Sequence, residues 1–279
     1  MQASICRAGV DRLQLLAKPL EKNKLPEFVG FRRVRDSFVR SQTAVKTYAR
    51  AAEYVNDGSG LRVFLQHHPV LPTLWPLKVT LIPNDQSLLA SEDTEAIVAQ
   101  FSSYRISLLE FVLDWFPESG IDLAFVKAHA LFGKSRPIES RLHARSIVYG
   151  SRKGEKFVRC YSKKNIGAFR IELEFHSGWL RRHQIAALEN LRKLPRLLYA
   201  QHVRFVKIDW IALERYVARR GHPHNRSVIQ QAKTGFESIH RAMQFLRTNA
   251  QVTNVHRFVV PLPIDREIRR AMNKWPRNL

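Results

Sequence analysis

Three segments of the sequence carry polar side chains at alternate positions, the spacing at which strand residues share one face of a sheet. Residues 156–163 carry three polar side chains at alternate positions: Arg159, Tyr161 and Lys163. The residues between the polar positions are mostly apolar in all three segments, which predicts strands with one buried and one polar face. The polar positions of the other two segments are Arg170, Glu172 and Glu174 in 168–175, and Glu110 and Asp114 in 106–115.

The turn sequence at 165–167 predicts that segments 156–163 and 168–175 form a hairpin. Neighbouring strands lie ~4.8 Å apart, so Tyr161 is expected within reach of Arg170, Glu172 and Glu174. If helices cover the apolar faces, Glu110 and Asp114 are expected on the same open surface.

This set of side chains allows two interpretations. Clustered carboxylates repel one another unless arginines or a divalent cation compensate them, and oxygen ligands suit Mg²⁺ or Mn²⁺. A tyrosine beside a metal ion and cationic side chains can attack phosphorus and form a covalent phosphotyrosine. The same pattern also fits an ordinary amphipathic sheet with cross-strand salt bridges of low energy. Spacing alone leaves both open.

Other residues of chemical interest are weaker candidates. Tyr149, near the end of a predicted strand, is the rival nucleophile. His143 and His176 flank the predicted sheet. Either is interpreted as a general base, a metal ligand or a structural residue. Adjacent strand residues point to opposite faces, so His67 and His68 are predicted to be loop residues that do not chelate one ion.

The elements that must position these residues form an α+β pattern. Turn sequences separate strand-like runs at 77–83, 105–116, 145–151, 156–163 and 168–175, with predicted helices at 91–100 and 121–132. From residue 179 the pattern is mostly helical, at 179–200, 208–220 and 225–247. The predicted fold is a central antiparallel or mixed β-sheet with one face covered by helices, flanked by helical N- and C-terminal regions.

Three regions follow from this pattern, and no internal repeat is visible. Residues 1–60 mix charged and apolar residues at helical spacing, which predicts a helical N-terminal arm that ends at the loop signal 56–60. Residues 61–178 form the central, catalytic-type α+β sheet. Residues 179–279 form a basic helical region.

The charge distribution favours a polyanionic partner. Lys and Arg outnumber Asp and Glu by 46 to 24, a net charge of +22. Residues 1–138 carry 17 basic and 14 acidic side chains, whereas residues 139–279 carry 29 and 10. Neutralised phosphates release counterions, so this asymmetry predicts nucleic-acid binding by the second half. A solubilising surface and a membrane-surface protein are the alternatives.

Composition excludes several classes of protein. Two cysteines, Cys6 and Cys160, cannot form a disulfide framework or a Cys-rich zinc site, and alternation predicts that Cys160 is a small buried hydrophobe. No apolar run approaches the roughly 18 residues of a membrane span, and the N-terminal residues lack the apolar core of a secretory signal. A cytoplasmic location without membrane association is expected.

Two neighbouring motifs resemble a known family. The run Gly-Ser-Arg-Lys at 150–153 precedes Phe-Val-Arg-Cys-Tyr-Ser-Lys at 157–163 and Arg-Ile-Glu-Leu at 170–173. Upstream, residues 105–114 place two acidic residues four apart. This arrangement, over about a quarter of the chain, is similar to the replication initiation factor family of rolling-circle plasmid initiators and relaxases of mobile elements. Ser162 and Glu110 stand where that family more often has Asp.

The resemblance implies that one DNA strand is nicked by a tyrosine that becomes linked to the 5′-phosphate, with help from a divalent metal ion (Mg²⁺ or Mn²⁺). Tyr161 would be the nucleophile of this metal-dependent transesterification. Arg159, Lys163 and Arg170 would position or neutralise the phosphate. The expected metal ligands are Glu110, Asp114 and Glu172, with Glu174 on the same predicted face.

The expected partner is origin DNA, single-stranded or as a hairpin; a second copy of the chain and a host helicase are further partners that this function would allow. The residues predicted to contact DNA are all basic: Arg152, Lys153, Arg181, Arg182, Arg219 and Arg220. Two other functions stay open: a non-catalytic DNA- or RNA-binding protein that uses the same sheet face and basic C-terminal half, and a capsid-like structural partner of nucleic acid.

Overall fold

The protein is built around a ten-stranded antiparallel sheet with helices on one face, so the α+β prediction is confirmed. The computed structural model describes residues 6–22, 24–38, 47–132, 137–139, 146–151, 153–194, 197–198, 204–219, 224–250, 252 and 254–274. The strand order of the large sheet is β2-β3-β4-β5-β1-β6-β11-β10-β9-β8, and a separate small sheet has the order β13-β12-β7.

The strands have the following bounds: β1 Cys6–Pro19, β2 Phe31–Phe38, β3 Tyr48–Asn56, β4 Arg62–Pro69, β5 Leu77–Ile82, β6 Phe101–Trp115, β7 Ala130–Leu131, β8 Pro137–Glu139, β9 Ser146–Gly150, β10 Lys156–Lys163, β11 Ala168–His176, β12 Arg204–Ile208 and β13 Val259–Pro261. The helices are α1 Ser91–Val98, α2 Leu123–His129, α3 Ser177–Arg182, α4 Trp210–Arg219, α5 His224–Thr234, α6 Ile239–Asn249 and α7 Asp265–Lys274.

The helical N-terminal arm predicted for residues 1–60 is wrong. The described part of this region forms β1, β2 and β3, and β3 pairs with β4 so that the sheet is continuous across residue 60. The alternation that marks a strand is broken in two of the three: the β1–β6 ladder shifts register after Val10, and the β2–β3 ladder shifts after Arg33. An interrupted period of two can imitate helical spacing.

The large sheet consists of two halves with the same topology. Each half starts with a long strand (β1 or β6), continues through a meander, and returns with a final strand (β5 or β11) that pairs with the long strand. A helix follows each final strand, α1 after β5 and α3 after β11. The structure therefore contains an internal duplication of topology, although no repeat is visible in the sequence.

The two halves meet at the pair β1 and β6, where the duplication extends to irregularities of the backbone. Leu13 pairs with Leu109 in this ladder. The register shifts leave Asp11 and Ser107 without a ladder partner, and each lies two residues before its leucine. Such β-bulges add one residue to a strand and redirect the neighbouring side chains. The pair Leu13–Leu109 thus marks the centre of the duplicated sheet.

The core lies between the apolar face of the sheet and the helices. Leu13 and Leu109 are fully buried there, together with Ile97 of α1, Leu180 of α3 and Ile268 of α7. A second core lies among α4, α5, α6 and β12. The opposite face of the large sheet carries the polar positions. Among the helices that the structure describes, none is long and apolar enough to cross a membrane.

Candidate active site

The register of three strands aligns the predicted polar residues. Tyr161 of β10 pairs with Arg170 of β11, which pairs with Asp114 of β6. One row away, Arg159 pairs with Glu172. The face predicted by alternation therefore exists, and β10 has the predicted bounds.

At the centre of this face lies a buried ion pair between Arg170 and Asp114, both 0% exposed. Arg170 donates from Nε to Asp114 Oδ1 at 2.6 Å and from Nη2 to Oδ2 at 2.9 Å. Arg7 of β1 donates from Nη2 to the same Oδ2 at 2.7 Å. On the other side, Arg170 Nη1 lies 2.7 Å from Asp11 Oδ2. The bidentate contact, with Arg7 and Asp11 as outer partners, fixes the Arg170 side chain next to Tyr161.

Tyr161 contacts a second buried carboxylate. Its hydroxyl donates a hydrogen bond to Glu172 Oε2 at 3.0 Å, and Arg159 Nη2 donates to the same oxygen at 2.7 Å. The Arg159 guanidinium also lies over the Tyr161 ring, 4.5 Å from its centroid. Tyr161 is half-buried and Glu172 is buried, so the hydroxyl faces a carboxylate with little access to water.

The electrostatic surroundings keep Tyr161 protonated. Burial, and then the charge of Glu172, raise the pKa of the Tyr161 hydroxyl well above its usual range, although Arg159 and Arg170 oppose the shift. A neutral phenol is a weak nucleophile and needs a base when it attacks. Glu172 is the carboxylate in position to accept that proton.

Arg159 has a buried donor without a partner. Its Nε is shielded from solvent and has no hydrogen-bond acceptor among the residues that the structure describes. A buried unsatisfied N–H costs free energy.

A second acidic group lies beside this centre. Glu110 pairs with Glu174 in the ladder, and Glu110 Oε2 lies 3.3 Å from Arg12 Nη1 of β1. Burial first, and then the charge of Glu172, raise the pKa of Glu110 to about 8, against the opposing effect of Arg12. Glu174 Oε1 lies 2.7 Å from His176 Nε2. Negative charge is therefore in excess around Glu110.

The predicted metal ligands divide into two kinds. Asp114 has both oxygens in guanidinium contacts, and it acts in this structure as a counterion for Arg7 and Arg170. The other three each contact one nitrogen-bearing side chain, Glu110 with Arg12, Glu172 with Arg159 and Glu174 with His176. Carboxylate oxygens of this kind are the donors that a hard divalent cation prefers. In the described part of the chain, no three acidic, histidine or cysteine side chains are arranged as a metal-binding group.

Sequence reasoning missed three residues of the site, and all of them lie on β1. Arg7 and Arg12 neutralise Asp114 and Glu110, respectively. Asp11 pairs with Arg170 and lies 3.8 Å from Lys163 Nζ. Before the bulge at Asp11 the odd-numbered residues of β1 lie on the polar face, and after it the even-numbered residues do. This switch hides the period of two in the sequence.

The structure also locates the weaker candidates. Tyr149 is 1% exposed and packs against Phe132 within the core, so its hydroxyl does not face the open side. Cys160 is fully buried, as predicted. His67 and His68 lie on β4 and not in a loop. His68 has φ of 56°, and this left-handed conformation brings the two Nδ1 atoms to 2.5 Å, which overturns the expectation of opposite faces.

The predicted DNA-contacting residues are dispersed. Lys153 is exposed in the turn between β9 and β10. Arg181 and Arg182 are exposed on α3, whose Leu180 packs on the helix-covered face, so the structure does not bring them beside Tyr161. Arg219 is exposed at the end of α4. The remaining predicted residues Arg152 and Arg220, and also His143, lie outside the described residues.

Comparisons with known proteins give a structural likeness at low sequence identity. No protein-family model matches the chain, and no curated protein matches its sequence. A similar solved structure is that of a rolling-circle replication initiator protein from Geobacillus stearothermophilus, with 13% sequence identity and a TM-score of 0.42. The alignment covers 72% of this chain and 87% of that one. A likeness of this strength assigns no residue role and no activity to the present chain.

The buried ion pair leads to a prediction about stability. Asp114→Ala leaves Arg170 buried without its bidentate partner, which costs about 3–5 kcal/mol of unfolding free energy. Urea unfolding measures this loss. The matched control is Asp57→Ala, which removes an exposed ion pair with Arg32 and should leave the unfolding midpoint close to wild type. Equal midpoints for the two variants would contradict the central role of Asp114.

The shifted carboxyl of Glu110 leads to a prediction about pH. Its pKa of about 8 in the folded protein exceeds the ordinary value of 4.5, so between these values the folded state holds a proton that the unfolded state lacks. Stability therefore falls as pH rises through this window. Between pH 5 and 8.5, in EDTA, the unfolding free energy of Glu110→Gln should fall by about 2 kcal/mol less than that of wild type.

Chemical denaturation at several pH values measures this difference. The control Glu92→Gln, on the exposed side of α1, should keep the wild-type slope. A Glu110→Gln slope identical to that of wild type would show that Glu110 titrates normally in the folded protein.

Proposed function

We propose that the protein cleaves and rejoins a DNA strand by transesterification, with Tyr161 as the nucleophile. One observation carries the proposal: the Tyr161 hydroxyl donates to the buried Glu172 carboxylate while Arg159 contacts both residues. These contacts support the proposal because phosphoryl transfer by a tyrosine needs a nucleophile, a base and an anion-binding group close together.

In the proposed reaction, the Tyr161 oxygen forms a bond to a backbone phosphorus while its proton passes to Glu172. The bond from phosphorus to the 3′-oxygen breaks, and that oxygen takes a proton from water as it leaves, while Glu172 later returns its proton to water. The products are a 5′-phosphotyrosine and a free 3′-hydroxyl. One phosphodiester replaces another, and the reverse reaction rejoins the strand. Glu172 supplies the base that the raised pKa of Tyr161 demands.

Arg159 is the group that we expect to meet the negative charge on the reacting phosphate. Its side chain is 29% exposed and contacts both Glu172 and the Tyr161 ring. Preorganised donors aimed at developing charge contribute strongly to phosphoryl transfer. Arg170 is held by Asp114 and Asp11, and it acts as a positioning residue for the row of Tyr161. Lys163, beside Asp11, extends the positive rim of the site.

We further propose that Glu110, Glu172 and Glu174 hold a divalent cation, Mg²⁺ or Mn²⁺. Such an ion would act as a Lewis acid on a phosphate oxygen. It would also offset the charge of Glu172, which adds to the effect of burial in raising the pKa of Glu110.

The substrate class follows from charge. A net charge of +22 favours a polyanion such as a DNA strand. The polar face is open to one side, with Arg7, Arg12 and Arg159 each partly exposed. A role as a rolling-circle initiator or relaxase would use this chemistry on origin DNA.

Incubation with labelled single-stranded DNA and Mn²⁺ tests this proposal. Wild-type protein should form a covalent adduct that survives denaturing electrophoresis. Tyr161→Phe should abolish the adduct, and Glu172→Gln should slow its formation by about 10²–10⁴-fold because the base is lost. Tyr149→Phe is the matched control for the rival nucleophile and should retain the adduct.

The opposite result would favour the non-catalytic function. Tight, salt-sensitive DNA binding without an adduct in any metal would show that the polar face binds nucleic acid and does not cut it. An adduct that persists in Tyr161→Phe and disappears in Tyr149→Phe would refute the assignment of the nucleophile.

A further inference from the structure

The duplication of the sheet places a second set of side chains at positions equivalent to the candidate active site. Leu13 and Leu109 mark the centre of the sheet. Five residues after each of them lie Lys18 and Asp114. The strand end that carries the buried aspartate in one half therefore carries a lysine in the other.

The equivalence extends to the neighbouring strands. Leu16 and Val112 each lie three residues after the central leucine, and they pair with Lys78 and Glu172, respectively. The proposed base of the active site thus corresponds to a second lysine. In both halves the residue is on the final strand of the meander, on the face opposite the helices.

The next strand outward supplies the counterpart of the nucleophile. Gln66 pairs with Lys78 as Arg159 pairs with Glu172, and two residues further along lie His68 and Tyr161. The second position thus has a histidine in place of the tyrosine and lysines in place of the two carboxylates. Its charge is inverted, and it lacks the nucleophile and the base of the first.

A cavity of about 670 Å³ lies next to this second position, and of the equivalent residues Lys18 and His68 line it whereas Lys78 does not. Its volume is within the size range of ligand sites. It is formed by the ends of β1 and β4, the start of β5 and β6, and the segment after β1. Its polar lining is cationic or neutral: Lys18, Lys22, Lys24, His67, His68 and Ser102.

The charge of this cavity is poorly compensated. Among the described residues, only Glu21 brings a carboxylate within ion-pair distance of a lining lysine, 3.5 Å from Lys24 Nζ. Both members of that pair are more than half exposed, so the pair is weak. Lys18 and Lys22 thus leave the cavity positively charged, and lysine is a common ligand of phosphate groups.

An aromatic ring lies beside the cavity. Lys18 Nζ is 5.7 Å from the centroid of the Trp75 ring, and the Arg105 guanidinium is 5.3 Å from it. Trp75 is half-buried and Arg105 is exposed on β6. An aromatic ring with flanking cations is the combination that binds single-stranded nucleic acid, because bases stack on the ring while the cations meet the backbone.

We propose that this cavity is a second, non-catalytic phosphate site that binds the backbone of a nucleic-acid strand, with Trp75 as a stacking platform for an adjacent base. The phosphate chemistry stands on the cavity alone. The choice of a nucleic-acid strand over a free nucleotide rests on the proposed function.

Fluorescence anisotropy with a labelled twelve-residue oligothymidylate tests the proposal on the full-length protein over a salt series. The double variant Lys18→Gln/Lys22→Gln should weaken binding about tenfold and should reduce the slope of log affinity against log salt by about 1–1.5. The control Lys233→Gln/Arg270→Gln removes two exposed charges from α5 and α7 and should bind like wild type.

A competition arm separates the two sources of phosphate. If unlabelled oligothymidylate displaces the probe and ATP at the same phosphate concentration does not, the strand is the ligand. If ATP binds to wild type but not to the double variant, and the double variant binds the strand as tightly as wild type does, the phosphate site stands. The assignment of that site to a strand is then overturned. Equal affinity and equal salt slope for wild type and the double variant, together with no loss of ATP binding, would refute the site.

The same proteins keep this inference separate from the catalytic proposal. Loss of binding in the lysine variant without any covalent adduct in wild type would support the phosphate site and refute the nicking activity. If wild type and the lysine variant both form the adduct and bind the strand with equal affinity, the nicking activity is supported and the phosphate site is refuted.

Discussion

The arrangement of the polar face depends on the buried ion pair between Arg170 and Asp114. Two fully buried charges are tolerated only with near-ideal geometry and further neutralisation. Here the bidentate contact is completed by Arg7 on one side and Asp11 on the other. The pair joins β11 to β6, and its outer partners join both to β1, so one network fixes the side chains of three adjacent strands next to Tyr161.

The bulge at Asp11 is a condition of this network. In a regular strand, odd-numbered and even-numbered residues point to opposite faces of the sheet. The extra residue in β1 changes this, so that Arg7, Asp11 and Arg12 all contribute charge to the same face. A corresponding bulge at Ser107 in β6 shows that the irregularity belongs to the duplicated framework. The two halves share a backbone and differ in charge: one collects carboxylates around a tyrosine, and the other collects lysines around a cavity.

Much of the candidate site could be predicted from the sequence because its strands are regular. In β10 and β11 the apolar and polar residues alternate without interruption, and a short turn fixes the pairing, so the contact between Tyr161 and Glu172 follows from simple geometry. The contribution of β1 could not be predicted in this way, since its bulge breaks the alternation at the point where Asp11 enters the site. The compensation of carboxylates by arginines also depends on which strands are neighbours, and Arg7 is 107 residues from Asp114 along the chain.

The central claim is that Tyr161, and not a neighbouring residue, becomes bonded to DNA. Trypsin cleaves after Arg159 and Lys163, so it releases the peptide Cys160–Lys163, in which Tyr161 is the only tyrosine. Mass spectrometry after reaction with single-stranded DNA, nuclease trimming and trypsin digestion should find this peptide with a 5′-nucleotide linked to Tyr161. An unmodified Cys160–Lys163 peptide, with the nucleotide on the peptide that carries Tyr149 or on none, would contradict the account.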